Sequence, residues 1–149
     1  MLAVSMLAHQ PAKYGQDERV LIMKKKVPAR TPWGEVVGYS RAVKVGRFVT
    51  VSGTVASDSG GEVVGRGDVY EQTRFCIKKI ESALKELGCS LSDVVRTRIF
   101  TTDIGRWKEI GKAHGEFFSK IKPTTSMIEV KGLIDPDMLV GIEADAILE

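Results

Sequence analysis

The chain has 149 residues, enough for one domain with a single hydrophobic core. With 43% hydrophobic and 28% charged residues, its composition is that of a globular protein and excludes a disordered or fibrous one. The net charge is only +3, and the one basic run, Lys24-Lys25-Lys26, is typical of a solvated tail. Nucleic-acid-binding proteins usually concentrate positive charge on one face, so the sequence does not favour a nucleic-acid partner.

The two cysteines, Cys76 and Cys89, have neither CxxC spacing nor a set of histidine partners. We expect two reduced thiols, no metal and no other cofactor. No stretch reaches the ~18 consecutive apolar residues that span a bilayer. The apolar start of the chain also lacks the basic region of a signal peptide. We therefore expect no membrane partner and a cytoplasmic location.

Residues 1–32 have mixed polarity and no sustained period, and they include a second methionine, Met23. We interpret them as an N-terminal extension to a domain of residues 33–149. Met23 is an alternative natural start.

The domain is predicted to open with a β-hairpin. Two runs rich in β-branched residues flank Gly46, and glycine permits the positive φ that a tight turn requires. If Val45 pairs with Phe48, then Arg41 lies opposite Ser52. The hairpin therefore brings together two polar residues that are distant in the sequence.

Local signals also mark the first long helix. Asp68 can cap its start, with Glu71 three residues on as in a capping box, and Gly88 can close its end. Apolar residues recur between them at helical spacing, which predicts one buried face made of Cys76, Ile80, Ala83, Leu84 and Leu87.

A second helix is predicted to end at Pro123, because proline cannot continue a helix. Its apolar stripe comprises Trp107, Ile110, His114, Phe117, Phe118 and Ile121.

Strands are predicted at residues 94–102, 126–130 and 139–148, with one more short strand at Val63-Val64. The resulting order is ββ(β)αβαββ, an α+β domain with a mixed sheet and two helices on one face. The other face of the sheet is then bare and largely apolar. Self-association would cover it, although this pattern does not fix the symmetry.

Over about residues 39–148 the chain resembles the Rid (YjgF, reactive intermediate deaminase) family. Each landmark is weak alone, but their order and spacing together are specific. They are Tyr39-Ser40, Val51-Ser52-Gly53, Asp93-Val94-Val95-Arg96-Thr97, Phe100, Asp103, Phe117-Phe118, Pro123, Ser126, Glu129-Val130 and Ile142-Glu143-Ala144.

The resemblance implies a chorismate-mutase-like fold and a homotrimer with a central barrel of sheets and three clefts between subunits. Well-known members hydrolyse 2-imino acids to 2-keto acids and ammonia. Others have been called endoribonucleases or translation inhibitors.

The chain departs from the deaminating members at one important position. Those members carry Pro-Ala-Arg-Ser, whose arginine binds the substrate carboxylate through two parallel N–H groups. Here the arginine is replaced by Thr125, and Gly111 stands where such members often have asparagine. The chain is therefore a divergent member in which the usual anion anchor is missing.

Glu143 matches a site glutamate of the family, and we expect it to position a water molecule; a salt-bridged strand residue is the alternative. Tyr39, Ser52 and Gly53 are also retained and are expected to bind the ligand together with Thr125. We expect these five residues to converge on one cleft between subunits.

Three further residues have competing interpretations. Arg98 stands where deaminases usually have a small residue, so it is a candidate substitute anchor, and Arg41 is its rival. His114 occupies the place of a family aromatic residue, which favours packing, but a neutral imidazole in a cleft can act as a base. The alternative for Arg98 is an exposed position at the sheet surface.

These observations support a hydrolase or deaminase of imine, enamine or related small metabolites. A metabolite-binding trimer without turnover is the alternative. A ribonuclease ranks last, because the sequence lacks a basic stripe and aromatic platforms for stacking bases.

Overall fold

The computed structural model describes residues 23–149. The predicted hairpin is confirmed: Val45 pairs with Phe48, and Gly46 makes the turn with a φ of 58°. The strands are β1 (Lys24–Pro28), β2 (Ser40–Val45), β3 (Phe48–Val55), β4 (Val94–Thr101), β5 (Thr124–Glu129) and β6 (Val140–Ile147).

These strands form one sheet in the order β1-β2-β3-β6-β4-β5. The pair β4 and β5 is parallel, and the other neighbouring pairs are antiparallel. The prediction of an α+β domain with a mixed sheet is therefore confirmed.

Two elements near the start of the described chain were not predicted. Lys24–Pro28, which the sequence analysis assigns to the extension, pairs with β2 and buries Val27 in the core. A single helical turn, α1 (Trp33–Val37), follows and ends at Gly38, whose φ is 74°. Residues 1–22 of the predicted extension lie outside the described residues.

The first long helix, α2 (Val69–Glu86), begins and ends as its local signals predict. The side chain of Asp68 accepts a hydrogen bond from the backbone N–H of Glu71 at 2.9 Å. At the other end Gly88 has a φ of 75°, a conformation that favours glycine.

The second long helix, α3 (Trp107–Phe118), differs from its prediction at both ends. It ends at Phe118 with Ser119 as its C-cap, so a turn separates the helix from Pro123, and Lys122 in that turn has a positive φ of 53°. Trp107 does not join the buried stripe and is 54% exposed. Trp107 is the first residue of α3 and directly follows the short 3-10 turn Ile104–Arg106, so it lies at the junction of the two and not within the helix.

The helices α2 and α3 lie on one face of the sheet and close the core. Cys76 and Cys89 are buried free thiols, and burial raises the pKa of Cys76 to about 12. The largest core side chains are Ile77, Ile80, Leu84, Ile99, Ile110, Met138 and Ile142. Val63, predicted in a short strand, makes a single bridge to Ser57.

The long helices α2 and α3 leave the opposite face, here the open face, uncovered, and Trp33 and Val37 of α1 lie at its margin beside Phe100. The open face mixes apolar and charged side chains, and Phe48 is 67% exposed there. By strand alternation its members are Val43, Val45, Phe48, Thr50, Arg96, Arg98, Phe100, Glu143, Asp145 and Ile147. None of the helices in the described part of the chain is both long and apolar enough to cross a bilayer.

Replacing Asp68 by alanine is expected to lower the free energy of unfolding by about 1 kcal/mol, because the N–H of Glu71 loses its acceptor. Urea denaturation followed by circular dichroism at fixed protein concentration measures this. Asp68→Asn keeps an acceptor and should stay close to the wild type. Equal losses in both variants would contradict the capping role.

Candidate functional site

A cavity of about 330 Å³ lies beside the end of the hairpin, and we call it the hairpin cleft. It brings together Tyr39, Ser52 and Gly53, three of the residues predicted from the sequence. Its complete lining is Trp33, Val37, Tyr39, Arg41, Ser52, Gly53, Val55, Phe100, Leu133, Ile134 and Gly141.

Arg41 supports the polar side of the hairpin cleft. Its Nη1 donates to Ser52 Oγ at 3.4 Å, Gly53 O at 3.2 Å and Thr54 Oγ1 at 3.0 Å. The side chain is 7% exposed, and its guanidinium lies 5.8 Å from the centroid of the Tyr39 ring. A buried cation therefore holds the strand segment that lines the cleft.

Glu143 lies on β6, the strand that pairs with β3. The pairing of β3 with β6 is interrupted between Val51 and Thr54, which places the Ser52-Gly53 segment opposite Glu143. On its other side Glu143 accepts a hydrogen bond from Arg98 Nε at 2.8 Å.

Arg98 lies close to two acidic residues, Glu143 and Asp145. Its Nη2 lies 3.6 Å from Asp145 Oδ2, and the hydrogen bond to Glu143 raises the pKa of Arg98. The guanidinium thus faces two carboxylates of its own chain, whereas no carboxylate oxygen of residues 23–149 lies within 4.0 Å of Arg41. The geometry favours Arg41 over Arg98 as a free anion anchor.

Thr125 and His114 lie on the helix side of the sheet, away from Glu143. The hydroxyl of buried Thr97 is 2.9 Å from Thr125 Oγ1 and 3.0 Å from His114 Nε2. Thr125 is exposed on the edge strand β5, so this chain of hydrogen bonds runs from a half-buried imidazole to the surface.

Comparison with known proteins gives a match over most of the chain: the family model described as endoribonuclease L-PSP matches residues 31–148. The chain belongs to the YjgF/Rid family.

Solved and curated relatives agree with this assignment. The crystal structure of Rv2704 from Mycobacterium tuberculosis, described as a member of the YjgF/YER057c/UK114 family, has 46% sequence identity and a TM-score of 0.77. That match covers 85% of this chain and all of the other. A RutC family protein of Pyrococcus abyssi is 38% identical over 74% of this chain and 87% of its own length. The 3-aminoacrylate deaminase RutC of Acinetobacter baylyi is 33% identical over 80% of this chain and 94% of its own.

Within a single YjgF/Rid chain, the predicted site residues fall into three groups. Tyr39, Ser52 and Gly53 line one cavity, and Glu143 with Arg98 forms an ion pair beside it. The third group, Thr125 and His114, is on the opposite side of the sheet. One chain therefore does not bring all the predicted residues together.

Sequence reasoning missed Thr97, which links Thr125 to His114. A signal was available, because a polar residue on the buried side of a strand usually has a hydrogen-bond partner. The alternation Arg96-Thr97-Arg98 places Thr97 on that side, and it is 1% exposed.

His114 combines packing with a polar contact. Its ring stacks on Phe118 with a centroid distance of 4.6 Å, and burial lowers the pKa of His114 below its usual value of 6.5. The imidazole is therefore neutral at pH 7 and available to accept a proton.

The same shift predicts a dependence of stability on pH. Below pH 6.5 the unfolded chain protonates His114 while the folded chain resists protonation, so the free energy of unfolding should fall as the pH drops. We expect His114→Gln to lose less stability than the wild type between pH 7.5 and pH 5.5, measured by urea denaturation. Identical pH profiles would show that His114 has no shifted pKa in the folded state.

Proposed function

We propose that the protein is a cytoplasmic homotrimer whose clefts between subunits bind small metabolites. In this proposal it hydrolyses imines, enamines or related compounds without the carboxylate-binding arginine of the deaminating relatives. The observation that carries the proposal is the hairpin cleft, which is lined by the Ser52-Gly53 segment that lies opposite Glu143 on the neighbouring strand. The name of the Acinetobacter baylyi relative, a 3-aminoacrylate deaminase, supports an enamine acid as substrate.

Within one chain the predicted site residues lie on two sides of the sheet, which suits a cleft lined by residues of two subunits. One subunit would provide Tyr39, Ser52 and Gly53, and its neighbour would provide Thr125 from the edge strand β5. The open face would supply the contact that holds three sheets together as a central barrel, because its exposed apolar residues need a cover.

In the proposed reaction, Glu143 takes a proton from water as the water oxygen attacks the carbon of the C=N bond. Glu143 passes this proton to the nitrogen, which becomes the amine of a tetrahedral intermediate. The new hydroxyl group then transfers its proton, through Glu143, to the amine; the C–N bond breaks, ammonia leaves and the hydroxyl oxygen becomes the carbonyl oxygen. An enamine substrate first gains a proton on carbon and loses one from nitrogen, which gives the imine.

His114 would act on this reaction from a distance. A neutral His114 Nε2 can accept a hydrogen bond from the Thr97 hydroxyl, whose oxygen can accept one from the Thr125 hydroxyl, which leaves the Thr125 oxygen to accept a hydrogen bond from the ligand. Thr125 would then bind a neutral group where deaminating relatives bind a carboxylate.

A specific observation favours the second candidate, a binding protein without turnover. Arg98 Nε donates to Glu143 Oε2 at 2.8 Å, so one oxygen of the proposed base already bonds a side chain of its own chain. A ribonuclease, the activity after which the matching family model is named, ranks third, because Arg96 and Arg98 share their face with Glu143 and Asp145.

Ammonia release from freshly generated 3-aminoacrylate separates these candidates. We expect Glu143→Gln to lower kcat/KM by at least 100-fold, roughly the contribution of a general base. Asp145→Asn removes a carboxylate from the same face and should retain most activity. Binding of the substrate's stable analogue propionate without any ammonia release by the wild type would identify the binding protein instead.

A further inference from the structure

A second cavity lies on the helix side of the sheet, between α2 and the segment that joins β1 to α1. Its volume is about 240 Å³. None of the site residues named above lines it except Arg41, which borders both this cavity and the hairpin cleft. We call it the helix pocket, lined by Val27, Pro28, Ala29, Arg30, Thr31, Arg41, Ser57, Asp58, Ser59, Phe75, Lys79, Ser82, Ala83 and Glu86.

The helix pocket contains two cations that lack an acidic partner. Lys79 donates to Val55 O at 3.1 Å, Ser57 O at 2.6 Å and Ser57 Oγ at 3.3 Å, all neutral oxygens. Arg41 likewise bonds neutral oxygens through Nη1. Among residues 23–149, no carboxylate oxygen lies within 4.0 Å of either cation.

Such an arrangement is costly without an anion, because buried charges are normally paired. The two cations are close enough to repel each other: burial lowers the pKa of Lys79, and the charge of Arg41 lowers it further. Within residues 23–149, Nε and Nη2 of Arg41 donate no hydrogen bond, and neither atom is fully buried, so both are accessible to a ligand.

The acidic residues of the helix pocket already have other partners. Asp58 Oδ1 accepts hydrogen bonds from the backbone N–H groups of Gly60 and Glu62, both at 2.9 Å. Glu86 forms a two-pronged ion pair with Arg30, at 2.6 and 2.9 Å. Arg30, Arg41 and Lys79 still outnumber Asp58 and Glu86 in the lining, so the helix pocket has a net positive charge that suits an anionic ligand.

We propose that the helix pocket is a binding site for a small aliphatic carboxylate, with Arg41 and Lys79 facing its anionic end. The wall of Val27, Ala29 and Ala83 suits a short alkyl chain, which inorganic phosphate does not have. Because Arg41 also holds Ser52 and Gly53, the ligand would act on the hairpin cleft through that one side chain.

The test is titration of the full-length protein with sodium butyrate, followed by backbone amide shifts in NMR and by calorimetry. We expect the largest shifts at Ser59 and Ala83. Lys79→Met should weaken butyrate binding at least tenfold, whereas Lys78→Met, an exposed lysine one position away on α2, should not.

Ser82→Phe provides a second variant if Lys79→Met fails to fold. Ser82 is exposed at the rim of the helix pocket, so the new ring should block entry while both cations remain in place. Loss of butyrate binding in Ser82→Phe supports the site. Butyrate shifts confined to the hairpin cleft, unchanged affinity in Ser82→Phe, or phosphate binding as tightly as butyrate would each overturn the proposal.

Discussion

Thr125→Arg is expected to raise kcat/KM for 2-iminopropanoate at least tenfold over the wild type, which should turn over this substrate slowly. A charged, two-pronged contact to a carboxylate contributes about 2–5 kcal/mol when its partner is otherwise unpaired, or roughly thirty- to several-thousand-fold in binding. Thr125 is exposed on an edge strand, so the longer side chain can be accommodated. Ammonia release measures the gain.

The matched control is Thr125→Met, which lengthens the same side chain without adding a charge. It should leave activity near the wild-type level. An equal gain in both variants would mean that the charged contact is not responsible. Wild-type turnover equal to that of arginine-bearing relatives would show that another residue anchors the carboxylate, and Arg41→Ala against Arg98→Ala would identify it.

Phe48→Glu is expected to convert the proposed trimer to monomers at micromolar concentration. Phe48 is 67% exposed on the open face next to Val45 and Ile147. If three such faces meet in a central barrel, three new carboxylates would be brought together in an apolar environment, and isolated buried charges are strongly unfavourable.

Sedimentation equilibrium measures this change. Trp107→Glu serves as the control, because Trp107 is 54% exposed on α3, on the helix side of the sheet. A wild-type monomer at micromolar concentration, or a Phe48→Glu variant that remains trimeric, would contradict the proposed assembly.

The parts of the fold that the sequence predicted depend on local signals. The register of Val45 with Phe48 follows from a two-residue turn, and the ends of α2 follow from Asp68 and Gly88. Strand β1 gave no such signal, because three consecutive lysines have no alternation of polar and apolar residues. Its place depends on pairing with β2, which lies beyond α1 in the chain.

The site was harder to predict because it depends on pairing between distant strands. The ion pair of Arg98 with Glu143 requires β6 to lie beside β4, although α3 and β5 separate them in the sequence. The side of the sheet that Thr125 faces is likewise set by its register with Thr97 in the parallel pair of β4 and β5. Neither relationship is encoded in the residues next to these positions.

The three lysines of β1 also affect whether copies of the protein can associate through this edge of the sheet. Lys24, Lys25 and Lys26 are all exposed along a strand at the end of the sheet order. An unprotected terminal strand is a template on which another chain can add its own strand and begin a fibril. Here a second copy docking on β1 would bring two rows of ammonium groups together, so charge repulsion opposes growth of the sheet beyond its six strands.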